Sequence, residues 1–309
     1  MKFFYGIKGN YVEVASKVIQ NWRFEGTKLR IPAGDSTRAT LFGDHILGTV
    51  KHILYVDNSN QEHIIEAFQA VIINETGAII TYSSSRDYYH SVGKYVPDYI
   101  ERLRGLHGYI KMEHGSMTDE LPEQLMTIMY LDENAKVLEL GANVGRNTFI
   151  IASILVEDSN LVTLESHPDI VKQLMHNTNL NGFKFHIENA ALSTVPLIQK
   201  DWDTVVSAEV PAGWVKVNTI TFEEIEKKYN IQFDSMVIDA EGAFYQILVD
   251  NPSCLKNIHT VIIENDFHEI DKKQYVDNVL NKYGLKSVFR QPGGWGCCAD
   301  MFFEVFRRV

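Results

Sequence analysis

From Ala135 onward the sequence repeats one pattern: a short apolar run, a glycine-bearing turn, a stretch of helical periodicity, and then the same again. Parallel strands need a crossover long enough to hold a helix, so this alternation predicts β-α-β units and a mostly parallel sheet flanked by helices. Strands are expected at 137–140, 161–164, 183–187, 235–238 and 260–263. Helices are expected at 146–155, 169–180, 243–249 and 272–282. At the end of the chain, 285–290 and 301–306 flank the turn-rich QPGGWG and read as an antiparallel hairpin. The stretch 192–232 is too long for a bare connection. It contains a second apolar piece, Trp214 to Ile220, and then a helix opened by Thr221, which forms a capping box with Glu224.

The first part of the chain differs. Short β-branched and aromatic segments, at 11–14, 51–56 and 78–82, are separated by Gly, Asn, Asp and Ser, which predicts a small β-rich domain over residues 1–95. PAGD (Pro32 to Asp35) and FGD (Phe42 to Asp44) read as turns. The polar run Thr81 to His90 reads as a linker, an amphipathic stretch follows from Asp98 to Leu106, and the second domain is expected to span 96–309. A hydrophobic fraction of 45% and a charged fraction of 22% are those of an ordinary globular chain. The formal net charge of −11, with no basic patch, argues for no nucleic acid partner. Three cysteines form no disulfide framework, and adjacent Cys297 and Cys298 lack further ligands at metal spacing. With no signal-like or bilayer-length apolar run, the expectation is a cytoplasmic protein without membrane insertion. A homo-oligomer is compatible with all of this.

The strongest chemical signal is VLELGANVGRNT, Val137 to Thr148, where the first strand turns into the first helix. Gly141 and Gly145 permit a tight turn and close approach of a ligand to the backbone, and Asn143 offers hydrogen bonds. Glu165 ends the next strand, where an acidic side chain can accept hydrogen bonds from both ribose hydroxyls of an adenosine. The dinucleotide fingerprint requires a third glycine where this chain has Arg146, so a pyrophosphate has no well-made cradle. A parallel sheet closed by one antiparallel strand from a C-terminal hairpin is the Rossmann-like arrangement of class I methyltransferases, so the fold class expected is α/β of that type.

The ordered blocks VLELGANVG, TLESHPDIVKQLMHNTNLNG, ENAALS, VNTITFEEI, VIDAEGAFYQIL and VIIEND resemble the FkbM family of methyltransferases, over about Glu120 to the C-terminus. The resemblance implies S-adenosylmethionine as methyl donor, with S-adenosylhomocysteine as product. It also implies a sugar or glycoconjugate hydroxyl as acceptor, hence an O-methyltransferase of glycan modification. Carried over residue by residue, Glu139, Gly141, Asn143 and Gly145 line the methionine end of the cofactor. Glu165 and its neighbour Ser166 belong to the ribose side, Asn189 and Ala190 to the adenine, and Glu120 to the cofactor's ammonium or the acceptor. The family's usual aspartate in the first block is Glu139 here, and the second block reads Leu164, Glu165, Ser166. The N-terminal domain is expected to serve acceptor binding or assembly. A non-sugar metabolite, a peptide, or a catalytically silent cofactor-binding module are the alternatives.

Methyl transfer to a hydroxyl is an in-line displacement that needs the acceptor oxygen held close and relieved of its proton. Asp239 and Glu241 in VIDAEG, at the carboxyl end of the fourth strand, and Glu264 and His268, after the fifth, are the candidates. Asp239 is also counted with the cofactor residues. Asp239, Glu264 and Asn265 together offer oxygen ligands for Mg²⁺, but a metal-free general base is the preferred expectation. His114 is placed in a surface loop or lid. Trp214 and Trp295 are read as anchors or as sugar-stacking rings.

Overall fold

The computed structural model describes the chain apart from residues 25–27, 32–34, 68, 70, 81, 201, 202 and 241, and apart from the side chains of 23, 24, 36, 37 and 203. It forms two compact units, Met1–Lys111 and Met112–Val309.

In the first unit, β1 (Lys2–Ile7), β2 (Asn10–Glu13), β5 (His52–Val56) and β6 (Glu62–Ile65) make one antiparallel sheet in the order β2-β1-β5-β6. A second antiparallel sheet has the order β3-β4-β7-β8, from Arg23–Phe24, Lys28–Ile31, Val71–Ile73 and Ile79–Ile80. Alternate residues Phe3, Tyr5, Ile53 and Tyr55 point into a core shared with Leu29, Ile31 and Ile73, with helices α1 (Ala15–Asn21) and α2 (Asp35–Phe42) beside it. The period-2 burial is what a half-buried strand requires.

The unit continues past the boundary expected near residue 95. The polar run read as a linker is helix α3 (Ser85–Ser91), capped by Ser84 and burying Tyr88 and Tyr89. Helix α4 (Tyr99–His107), capped by Asp98, buries Leu103, Gly105 and Leu106. A side chain at Gly105 would strike the Tyr88 ring, and Tyr88 stacks on Tyr109 at 5.2 Å between ring centroids. Two consecutive tyrosines within a serine-rich stretch thus tie this segment to the unit. Thr81 and most of PAGD lie outside the described residues.

The second unit is built on a seven-stranded sheet. Its strands are β9 (Val137–Leu140), β10 (Leu161–Leu164), β11 (His186–Glu188), β17 (Ser235–Ile238), β18 (Thr260–Glu264), β19 (Leu285–Gln291) and β20 (Phe303–Arg308), in the spatial order β11-β10-β9-β17-β18-β20-β19. All pairings are parallel except those of β20 with β18 and β19. This is the expected fold class: a mostly parallel α/β sheet closed by an antiparallel C-terminal hairpin. The central strands are buried on both faces, as continuous apolar runs in a covered parallel sheet must be. Helices α5 (Leu121–Tyr130), α6 (Arg146–Ile154), α7 (Pro168–Asn181), α8 (Phe222–Tyr229), α9 (Phe244–Asp250) and α10 (Ile270–Lys282) complete the unit. The Thr221 and Glu224 capping box opens α8. An inserted antiparallel sheet, β14-β13-β15, comprises Asp203–Val206, Leu197–Lys200 and Val215–Val217. Short strands β12 (Ala191–Leu192) and β16 (Thr219–Ile220) pair beside it.

Strand order reverses between β9 and β17, and the ends of both lie in register, Leu140 opposite Ile238. Gly141, with φ of +87°, turns there so closely that a Cβ would lie 1.6 Å from the Asp239 carbonyl oxygen. On the hairpin side, fully buried Glu304 accepts from the Lys273 ammonium at 2.8 Å and from the Arg290 guanidinium at 2.6 Å. Removing one partner of a buried pair leaves an uncompensated charge and costs about 3 to 5 kcal/mol. Lys273→Met is therefore expected to lower unfolding stability by about that much, measured by urea denaturation, with part recovered in Lys273→Met/Glu304→Leu.

Candidate active site

A cavity of about 500 Å³ opens at the carboxyl edge of the sheet, where β9 and β17 diverge. Open α/β sheets bind ligands in this crevice because the loops leaving the two strands part in opposite directions. Gly141, Asn143, Glu165, Ser166, Ala190 and Asp239 of the sequence-derived candidates line it.

The turn and the acid are built as one piece. Asn143, in the left-handed region at φ of 49°, donates its backbone N–H to Glu165 Oε2 at 3.0 Å, and the His167 N–H donates to Glu165 Oε1 at 2.8 Å. These bonds fix the carboxylate at the rim of the cavity while leaving each oxygen a lone pair for a ligand hydroxyl. Burial raises the Glu165 pKa, against the backbone donors of His167, Asn143 and Ser166 that lower it. The Ser166 hydroxyl donates to Gln199 Oε1 at 3.0 Å, which joins the second strand to the inserted sheet and brings Gln199 into the cavity wall.

Two cofactor candidates stand outside this lining. Asn189 does not line the cavity; its amide nitrogen donates to the carbonyls of Glu165 and Ser166, both at 3.0 Å, and so latches the loop after β10. Gly145, at φ of 102°, opens α6 away from the cavity lining, and a Cβ there would meet the side chains of Phe149 and Leu174. Its small size serves packing.

Behind Gly141 a second, much smaller cavity is lined by Glu120, Glu123, Glu139 and Asp239. Glu139 accepts from the Thr163 hydroxyl at 2.6 Å across the strand pair, and burial pushes its carboxyl up to about 7. Glu120 has φ of 58° and accepts from the Arg146 guanidinium at 2.5 Å. Asp239 borders both cavities.

Asp239, Glu264 and Asp266 bring their oxygens within 4.8 Å of one another. Burial, and then contact with Glu123 and the acids around it, raises the Glu264 carboxyl far above the carboxylate range. Asn265 is corrected as a candidate metal ligand: strand alternation turns it away, and its amide nitrogen donates to the Met301 carbonyl at 2.7 Å and to Glu304 at 3.2 Å. His268 is exposed and outside the cavity lining, its ring 4.5 Å from that of Trp295. Glu241 lies outside the described residues. His114 is tethered to α7 through its backbone N–H to Asn177 Oδ1 at 3.2 Å.

Sequence reading missed Glu123, Asp266 and Gln199. Asp266 was legible in VIIEND, since residues two apart on an extended chain share a face with Glu264. Glu123 and Gln199 come from a helix and an inserted sheet whose approach to the site no local pattern encodes.

No family model matches the chain and no curated protein matches it, so the FkbM resemblance rests on the motifs alone. Among solved structures it is similar to a ribosomal protein L11 methylase from Lactobacillus delbrueckii subsp. bulgaricus, at 10% identity over 66% of this chain and 88% of that one, with a TM-score of 0.42. It is also similar to an rRNA methylase from Streptococcus thermophilus, at 8% identity over 58% of this chain and 89% of that one, with a TM-score of 0.37. Similarity at this level concerns the fold. It nevertheless corrects the expected partners: a structure titled as an rRNA methylase stands among the matches, so nucleic acid is not excluded and the sugar or glycoconjugate acceptor is withdrawn. The physical reason is that a net charge summed over the whole chain does not describe one docking face. Among the described residues no helix is long and apolar enough to cross a membrane.

The raised Glu139 carboxyl makes a pH prediction. Its proton is held more tightly in the native state than in the unfolded chain, so its contribution is fully present below about pH 4.5 and is lost as pH rises toward about 7. Relative to the native sequence, Glu139→Gln should gain stability progressively as pH rises through that window, by roughly 3 kcal/mol at its upper end, measured by urea denaturation at several pH values. A constant difference would place the Glu139 titration elsewhere.

Proposed function

We propose that the second unit binds S-adenosylmethionine and transfers its methyl group to a hydroxyl oxygen. The observation that supports this is the single rim on which the Gly141 turn, Asn143 and the Glu165 carboxylate meet the 500 Å³ cavity at the strand-order reversal. The residues fit the group: Glu165 keeps acceptor capacity toward a ribose diol, Ser166, Ala190 and Gln199 wall the adjoining space, and the buried acids behind Gly141 suit an ammonium. When bound, S-adenosylmethionine supplies an electrophilic methyl on a sulfonium.

The protein's own part is to orient and to hold the acceptor's proton. Asp239 stands at the end of β17 on the cavity wall, with Glu264 and Asp266 near it, so its carboxylate borders the space an acceptor hydroxyl would enter. A carboxylate in hydrogen-bond reach of that hydroxyl can take its proton as the bond to the methyl forms. Asp239 and the undescribed Glu241 remain our candidates for the base, while Glu264, whose carboxyl holds its proton and which lies outside the cavity lining, and exposed His268 are lesser ones. We also propose, following the FkbM resemblance, that the first unit serves acceptor binding or assembly.

S-Adenosylhomocysteine at a hundredfold excess over its dissociation constant should stabilise the chain by about 2.7 kcal/mol, seen as a rise in melting temperature. Glu165→Ala should weaken its binding by about 1 to 3 kcal/mol through lost hydrogen bonds. A shift with NAD and none with S-adenosylhomocysteine would overturn the proposal. A chain beginning at residue 112 should still bind S-adenosylhomocysteine, since the second unit has its own core; its unfolding would show that the two parts share one.

A further inference from the structure

We propose that Asp239, Glu264 and Asp266, closed over by Glu123, form a site for a hard divalent cation. The three acids leave the ends of adjacent parallel strands β17 and β18, and one oxygen from each lies within 4.8 Å of the others. An octahedral cation with bonds near 2.1 Å sets neighbouring ligand oxygens about 3 Å apart and opposite ones about 4.2 Å, and Ca²⁺ at about 2.4 Å widens these to about 3.4 and 4.8 Å. Three oxygens within 4.8 Å of one another are close enough to share one such ion.

A second observation, from a different element, points to the same place. Glu123 reaches in from α5, is only 7% exposed, and its Oε2 is buried with no hydrogen-bond partner. Its carboxyl group lies within hydrogen-bond reach of Glu264, and it shares the small cavity behind Gly141 with Asp239. Carboxyl groups gathered this closely repel one another when charged, and either a proton or a bound cation relieves that repulsion. Arg146, the basic side chain beside Glu120 of the small cavity, is engaged by Glu120 and Asp119. An all-oxygen donor set with several carboxylates suits Mg²⁺, Mn²⁺ or Ca²⁺ and disfavours softer ions. Asp239 also walls the large cavity, so the ion would sit at its edge. Its use in methyl transfer rests on the reading above, whereas its binding does not.

The test uses the full chain, stripped with EDTA and dialysed, titrated with Mn²⁺ while free Mn²⁺ is followed by its paramagnetic resonance signal and melting temperature is recorded in parallel. One tight Mn²⁺ per chain is expected, displaced by Mg²⁺ or Ca²⁺, with at least tenfold weaker binding in Asp266→Asn and in Glu264→Gln. In EDTA both variants should melt no lower than the native sequence, because each removes a charge from a like-charged cluster, so lost binding is not lost folding. Should either fold poorly, Glu123→Gln, from the helix side, must weaken Mn²⁺ binding in its place. No Mn²⁺ site, or one whose affinity these substitutions leave unchanged, overturns the proposal. The titration contains no S-adenosylhomocysteine, so its failure would leave the methyltransferase reading standing.

Discussion

The site depends on the contact between Gly141 and the Asp239 carbonyl. Two parallel strands end in register, and their chains must leave in opposite directions through a space that admits no side chain. Any other residue at 141 would have to adopt a positive φ and displace backbone besides. Because that approach is close, the Asp239 side chain, the Asn143 amide and the Glu165 carboxylate converge on one rim, and a cavity forms there instead of a packed turn.

Around that contact the unit separates its charges into two groups with opposite solutions. On the hairpin side the acid Glu304 is buried with Lys273 and Arg290 against it, a structural arrangement satisfied within the protein. On the cavity side Glu123, Glu139, Asp239, Glu264 and Asp266 gather, and burial holds Glu139 and Glu264 above the ordinary carboxylate range. Buried acids arranged this way are costly to the fold, which is the usual mark of groups kept for a ligand or for chemistry.

Much of the fold was legible because its signals are local. Strands β9, β10 and β17 begin and end where their apolar runs do, and the QPGGWG turn marked the antiparallel hairpin. The third strand was misplaced by pattern alone: Phe183 and Phe185 look like strand residues, but their rings pack on Phe149, and the ladder begins only at His186. The linker reading failed because Tyr88 is buried against Gly105 and Tyr109, on and just beyond α4. In the site, Gly141, Glu165 and Asp239 follow from strand ends and turn chemistry. Asn189 and Gly145 sit in the right motifs yet spend their chemistry on the loop and the helix, which only coordinates reveal. The wall that Gln199, Thr204, Val205 and Val206 give the cavity has no sequence signal, because it comes from the inserted sheet.

The central claim is that this rim holds an adenosyl sulfonium cofactor. The most direct test is calorimetric titration of the full chain with S-adenosylhomocysteine and, separately, with NADH. The account predicts one S-adenosylhomocysteine site per chain, abolished by Gly141→Val in a variant shown to be folded, and no NADH binding. Saturable NADH binding together with no heat from S-adenosylhomocysteine would contradict it.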